Sequence, residues 1–206
     1  MAYPTTNAKE ELPAINQILA SVGQAPVTTL DQTNPDVAIA YDTLLQVSRE
    51  VQSEGWTFNT EEHYEFTPNT DDEILIPNNV LQLDLTRSGY THNKNAIRRS
   101  GKLYDKHNHT FKWKDGKVDC DVVWFFDWVD LPGPFQDYIT ARAAVLVSGR
   151  IVGDGNQYSM LQQHEAFLRS LALEYECNQG DHSFFGTALN YPDSYSSYKP
   201  YQALRR

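Results

Sequence analysis

The sequence predicts an α+β chain: a four-helix bundle with an inserted antiparallel β domain and an extended C-terminal arm. Three observations carry this. On either side of residues 56–131, apolar side chains return every three or four positions in two successive stretches, the spacing of a helix face. Residues 56–131 instead hold short alternating or continuous apolar runs separated by glycines, the pattern of strands and turns. Residues 180–206 follow neither period. The divisions are therefore 9–55 with 132–179 as the bundle, 56–131 as the β insertion and 180–206 as the arm.

The first helix, over 9–22, presents Leu12, Ile15, Leu19 and Val22 on one face. Gly23 follows, suited to the left-handed backbone that ends helices, and Pro26 blocks a restart. Asn34-Pro35 opens the second helix, 35–54. The asparagine supplies a capping acceptor, and proline lacks only an N–H that the first turn leaves unused. Val37, Tyr41, Leu44 and Val51 form the stripe, with Ala40 and Val47 beside it. Gly55 closes this helix, and Trp56-Thr57-Phe58 changes to a strand-like period.

Within the β insertion, Tyr64-Glu65-Phe66 alternates and Ile74-Leu75-Ile76 is a short apolar run. Val80, Leu81, Leu83 and Leu85 make a further strand. Gly89, Gly101 and Gly116 mark turns, and Asp115-Gly116 is the strongest hairpin signal. The most apolar run, Val122-Val123-Trp124-Phe125-Phe126, is expected at the centre of a small antiparallel sheet or barrel.

Pro132-Gly133-Pro134 ends the β part and sets Pro134 in the first turn of a third helix. Phe135, Ile139, Arg142 and Leu146 share one face, flanked by Tyr138 and Val145. Gly149 and Gly153 weaken its end, and residues 153–156 form a tight turn. The fourth helix, 157–178, carries Leu161, Leu168, Leu171 and Tyr175, broadened by Phe167 and Ala172. Four single-striped helices bury their stripes most simply in a bundle.

In the arm, Phe184, Phe185, Tyr191, Tyr195, Tyr198 and Tyr201 sit among Gly, Ser, Asn, Pro and Asp, and Pro192 and Pro200 argue against a helix. Tyrosine offers large contact area at low entropy cost, so the segment reads as an assembly arm.

Composition narrows the function classes. A net charge of −10 disfavours tight nonspecific binding to nucleic acid, whose phosphates need a basic surface. The charge is uneven. Residues 1–55 hold 2 basic and 7 acidic side chains, whereas 94–117 hold 8 basic and 2 acidic ones. Lys112, Lys114 and Lys117 belong to that basic stretch, which reads either as a solvated edge of hairpins or as a docking surface for an acidic partner. Cys120 and Cys177 match no metal-ligand spacing and are expected as free buried thiols of a reducing cytoplasm. No basic start followed by an apolar run suggests a signal peptide, and no apolar run approaches the roughly 20 residues that span a bilayer.

Candidate chemistry is thin. His107-Asn108-His109 spells a nuclease motif, but that motif needs further metal ligands on a following helix, and residues 110–117 read as a hairpin. His63, His92, His164 and His182 show no ligand spacing, and His164 is expected in the core of the fourth helix. Glu61-Glu62, Asp71-Asp72-Glu73 and Asp119 with Asp121 are acidic clusters that a glycosidase would need across a cleft. No phosphate-binding glycine loop or nucleophile elbow is present. No catalytic residue, metal or cofactor is expected, and the chain reads as a packing and assembly protein.

AINQILASVGQAPVTTLD, followed by the long helix ending in VQSEGWTFN, resembles the N-terminal part of the tail tubular protein A family of short-tailed bacteriophages. DLPGPFQDYITARAA and the fourth helix ending in LALEYE are similar in the same order, so the resemblance covers about half the chain. It implies a head-to-tail adaptor: a helical bundle with a β domain, assembled as a dodecameric ring between the portal and the tail nozzle, with tail fibres at its side. Double-stranded DNA would pass through the lumen without specific binding during ejection. Such a protein is expected in the virion, assembled in the host cytoplasm, with no membrane contact. On this expectation Phe184, Phe185, Tyr191, Tyr195, Tyr198 and Tyr201 bind the portal, and Lys112, Lys114 and Lys117 dock the nozzle or fibre. The alternative is a cell-wall-degrading hydrolase carried by a tail protein.

Overall fold

The computed structural model describes residues 8–31, 33–86, 95–114 and 116–180. Within them the chain runs α1 Ala8–Ser21, α2 Pro35–Gln52, β1 Thr60–Phe66, β2 Val80–Leu85, β3 Ala96–Arg99, β4 Lys102–Asp105, β5 Val118–Trp124, α3 Gly133–Ile151 and α4 Gly155–Gln179. A 3₁₀ turn, Trp128–Asp130, precedes α3. The class is mixed α+β, with the strands between two pairs of helices.

Local chemistry sets the helix ends. Gly23 takes φ +77°, which lets Gln24 donate to the Leu19 carbonyl at 3.0 Å and Gly23 to Ala20 at 3.1 Å. Those carbonyls would otherwise be left open by the last turn of α1. Asn34 Oδ1 accepts the Asp36 N–H at 3.0 Å, and Asp154 Oδ1 accepts that of Asn156 at 2.9 Å at the start of α4.

α3 is the pivot of the helical part, in contact with α1, α2 and α4. Its buried residues run round the helix, from Phe135, Tyr138 and Ile139 to Ala141, Ala144, Val145 and Ser148. The expected single stripe therefore understates it. Small side chains let neighbours approach from several sides, and a helix apolar on every side is an interior one. Phe135, Ile139 and Val147 meet Ile15, Ile18 and Leu19 of α1 and Leu44, Val47 and Val51 of α2. Each such fully buried side chain contributes about 1.5–3 kcal/mol. α4 is the opposite case. It packs chiefly on α3, and among its residues only Ala172 is fully buried.

Trp56-Thr57-Phe58 does not begin a strand. The Trp56 ring enters the helical core edge-on to Phe135, centroids 4.8 Å apart, and its Nε1–H donates to the Val51 carbonyl at 2.7 Å. Phe58 packs on the same Phe135 ring at 4.7 Å. Three clustered aromatic rings bury far more apolar surface than a one-residue alternation could, so packing overrides the local period.

β5 lies between β1 and β2 and is antiparallel to both. Val118, Cys120, Val122 and Trp124 point alternately inward. β3 and β4 form a separate antiparallel pair. A second core gathers Ile74, Ile76, Leu103 and Trp113 against the inner face of the sheet. The three-stranded sheet stays open, with β1 and β2 as its edges. Its β1 edge is irregular between Glu61 and Tyr64, where His63 takes φ +59°. A kinked edge is a poor template for another strand.

The strand expected at 74–76 is absent as a strand. Leu75 pairs with Lys102 only as an isolated bridge, with Ile74 and Ile76 buried on either side of it. Among the described residues of 110–117, Thr110 and Lys112 make isolated bridges to Asp105 and Glu73, and Asp115 of the expected hairpin turn lies outside the described residues. Gly89 lies outside the described residues.

Candidate functional site

The helical and β parts meet at two buried amides. Gln52 ends α2, and its Oε1 accepts the Phe126 N–H at 2.8 Å while Nε2 donates to the Phe126 carbonyl at 3.1 Å. Asn59 Oδ1 accepts the Trp56 N–H at 2.8 Å, and Nδ2 donates to the Gln52 and Trp124 carbonyls, each at 2.8 Å. Both side chains are fully enclosed. They satisfy backbone groups where the chain leaves one element for another, and an unpaired buried group there would cost about 1–3 kcal/mol. The junction is hydrogen-bonded and closed to water.

α4 is tied to the rest by polar contacts as well as by α3. Arg169 pairs with Glu54 at 3.0 Å and donates to the Tyr138 hydroxyl at 2.5 Å. Arg142 of α3 lies between Glu50 at 3.6 Å and Glu165 at 3.8 Å. Thr57 donates its N–H and hydroxyl to Glu176.

The outer side of α4 is another matter. Met160 is 72% exposed, Phe167 58% and Leu171 39%. His164 is exposed too, which corrects its expected place in the core. Residues 160, 164, 167 and 171 return after four, three and four positions and form a second stripe beside the buried one. An open groove of about 300 Å³ adjoins it, lined by Pro134 of α3 and by Leu168, Leu171 and Tyr175 of α4.

The basic stretch is partly neutralised. Lys102 pairs with Glu73 at 2.5 Å, Lys117 pairs with Glu65, and the Arg99 guanidinium lies 4.2 Å from the centroid of the Tyr104 ring. Lys112 and Lys114 are exposed and have no ion pair among the described residues. Between them Trp113 is buried, its Nε1–H donating to the Leu103 carbonyl at 3.0 Å. That anchor fixes both lysines outward.

The groups that suggested chemistry have structural partners. Asp105 accepts the N–H groups of His107 and Asn108 at 2.8 and 3.2 Å, and Asn108 Nδ2 at 2.8 Å, so the histidine stretch is an aspartate-held turn. Glu61 accepts the Trp124 indole N–H at 3.0 Å. Asp121 accepts the Thr86 hydroxyl at 2.6 Å. Among the described residues no group of three His, Cys, Asp or Glu side chains is placed to hold a metal ion, and no helix is long and apolar enough to cross a membrane.

The comparisons with known proteins place this geometry. Residues 12–182 match the tail tubular protein family, across both helical pairs and the β part between them. The chain belongs to the tail tubular protein family. It is 31% identical over 175 residues to tail tubular protein A of Klebsiella phage KP34, covering 82% of this chain and 88% of that one. Membership makes it a structural component of a phage tail and so of the virion.

Only some of the site residues expected from the sequence lie among the described residues. Phe184, Phe185, Tyr191, Tyr195, Tyr198 and Tyr201 lie outside the described residues. Lys112 and Lys114 share one anchored segment, whereas Lys117 stands at the entry to β5, held by Glu65. Sequence reasoning missed the outer stripe of α4, because Phe167 and Leu171 were assigned to the core. The signal was present: α4 carries apolar residues over more of its circumference than one neighbouring helix can cover.

Proposed function

We propose that the chain is the head-to-tail adaptor of a short-tailed phage. It closes a dodecameric ring that joins the portal to the tail nozzle and surrounds the DNA channel. The observation that carries this reading is the outer stripe of α4. A regular helix that leaves Met160, Phe167 and Leu171 in water suits a subunit whose neighbour buries them. A closed ring needs such heterologous contacts, one surface meeting a different one on the next copy.

In this arrangement 9–55 and 132–179 act as one unit and 56–131 as a second, locked together by Gln52 and Asn59. The arm 180–206 binds the portal through Phe184, Phe185, Tyr191, Tyr195, Tyr198 and Tyr201. Lys112, Lys114 and Lys117 dock the nozzle or a tail fibre. The acidic surface of the first two helices faces the lumen, where like charge lets double-stranded DNA slide during ejection without specific binding. Subunits fold in the host cytoplasm and end in the virion, with no membrane contact, no cofactor and no catalytic step.

Native mass spectrometry of the full chain with purified portal rings tests the proposal. A ring of copies matching the portal's own symmetry is expected. Subunits that stay single beside intact portal rings would refute it.

A further inference from the structure

The β part has two outer faces of opposite sign. Ala96 and Leu103 of the β3–β4 pair point into the second core, so their strand neighbours Ile97, Lys102 and Tyr104, with Arg99, point away from it. Arg99 stands opposite Lys102, and Ile97 opposite Tyr104. Ile97 is 43% exposed, and Leu75, bridged to Lys102, is 59% exposed. Phe111 packs on the Tyr104 ring with centroids 4.9 Å apart, and Lys106 is exposed just past β4. Glu73 pairs with Lys102, so Arg99, Lys102 and Lys106 leave a net of +2 around apolar side chains.

The other side of that core is acidic. Val118, Cys120 and Val122 fill the inner face of β5, so Asp119 and Asp121 point outward. Across the ladders Asp119 faces Glu65 of β1, and Asp121 faces Asp84 of β2. Lys117 pairs with Glu65, and Asp121 accepts the Thr86 hydroxyl at 2.6 Å and the His63 N–H at 3.2 Å. Four carboxylates against one lysine still leave a net of −3. Like charges directly opposite across a ladder destabilise it. Both faces therefore hold a repulsion that a partner of opposite sign would relieve.

We propose that the basic β3–β4 face of one subunit docks on the acidic sheet face of a second copy of this chain. Charge selects this occupant, because every copy carries both complementary halves. Placement agrees. The two faces lie on opposite sides of one shared core, so copies in the same orientation meet head to tail, the heterologous contact that a ring requires. Packing agrees as well: Leu75, Ile97 and Tyr104 would exclude water around the ion pairs and so strengthen them. The setting, a ring of like-oriented copies, rests on the adaptor reading. The β part then supplies a lateral contact of its own, separate from that of α4.

Carbodiimide coupling tests the contact, since it joins an amine to a carboxylate only where the two meet. A mixture of unlabelled and isotope-labelled full-length chains is treated free at about 1 mM, where millimolar contacts are populated, and on purified portal rings. Links between chains from Lys102 or Lys106 to Asp84, Asp119 or Asp121 are expected, mapped by mass spectrometry. Arg99→Glu with Lys106→Glu, and separately Asp84→Lys with Asp119→Lys, should each weaken association about tenfold, read by sedimentation at low salt. The two variants mixed should associate again, each supplying the sign the other lost, which also shows that both fold. If either fails a circular dichroism check, Lys106→Gln and Asp84→Asn should each weaken association roughly threefold. Wild-type chains without these links in both states overturn the proposal. So do variants that associate like the wild type, or a mixture of folded variants that does not associate. Links from Lys106 to portal protein alone would make another partner the occupant and overturn it too. These links in free chains that form no ring on the portal would refute the adaptor reading alone.

Discussion

Glu176, near the end of α4, accepts both the backbone N–H of Thr57 at 2.9 Å and its hydroxyl at 2.8 Å, across 119 positions of sequence. One carboxylate thus ties the last turns of α4 to the point where α2 gives way to the β part. Hydrogen bonds to an ionised acceptor are stronger than neutral ones. Replacing Glu176 with Ala strands the Thr57 N–H and should lower stability by about 1–2 kcal/mol in urea unfolding. Amide exchange should quicken around Thr57, and Glu176→Gln should lose less.

Asn59 is a more costly position. Its amide serves the Trp56 N–H and the Gln52 and Trp124 carbonyls from a fully enclosed site. Asn59→Ala leaves all three without that partner. The expected loss is about 2–4 kcal/mol, read as a lower urea midpoint with an unchanged slope.

Acid should loosen the turn after β4. Burial by itself would raise the Asp105 carboxyl, but hydrogen bonds from the Asn108 side chain and the His107 and Asn108 backbone outweigh it, and its pKa falls below 3.8. A carboxyl with a lowered folded pKa stabilises fully above its unfolded value, and that contribution is lost as pH drops through the folded one. Fluorescence of Trp113, anchored to β4, should therefore change below about pH 3.8, and Asp105→Asn should flatten the change.

The two thiols should separate cleanly. Burial, with Asp121, Asp119 and Asp84 adding to it, pushes Cys120 up to about 12, so no thiolate forms near neutrality. Cys177 is exposed, contrary to the expectation of two buried thiols. Iodoacetamide at neutral pH should label Cys177 alone in the folded chain and reach Cys120 only on unfolding.

Lys112 and Lys114 should matter for docking and not for folding. Both are exposed, without an ion pair among the described residues, on either side of the Trp113 anchor. Lys112→Glu with Lys114→Glu should leave the folding free energy within about 0.5 kcal/mol. Capture of nozzle or fibre protein should weaken, more so at low salt. Unchanged capture would remove these lysines from the docking surface.

Legibility followed the range of the forces involved. Asn34-Pro35, Gly23 and Pro134 act within a few residues, and the helix ends they announce stand where the chain has them. The place of β5 at the middle of the sheet was readable because a strand buried on one face and paired on both edges needs a strongly apolar run. Trp56 misled, since one residue either side cannot reveal a ring 79 positions away at Phe135. Leu171 and His164 misled for a related reason: periodicity counts apolar stripes on α4 but does not say how many neighbours are available to cover them.

The amino-acid sequence by itself determined the number and order of the helices, the Asn34 cap, the strand insertion between the helical pairs and the family likeness, all written in local spacing and turn chemistry. Tertiary structure decided which stripe α4 buries and which it leaves in water, how Gln52 and Asn59 join the two cores, and which lysines lack an ion pair among the described residues. Those outcomes depend on side chains far apart in the chain competing for the same neighbours. Only the folded arrangement settles that competition.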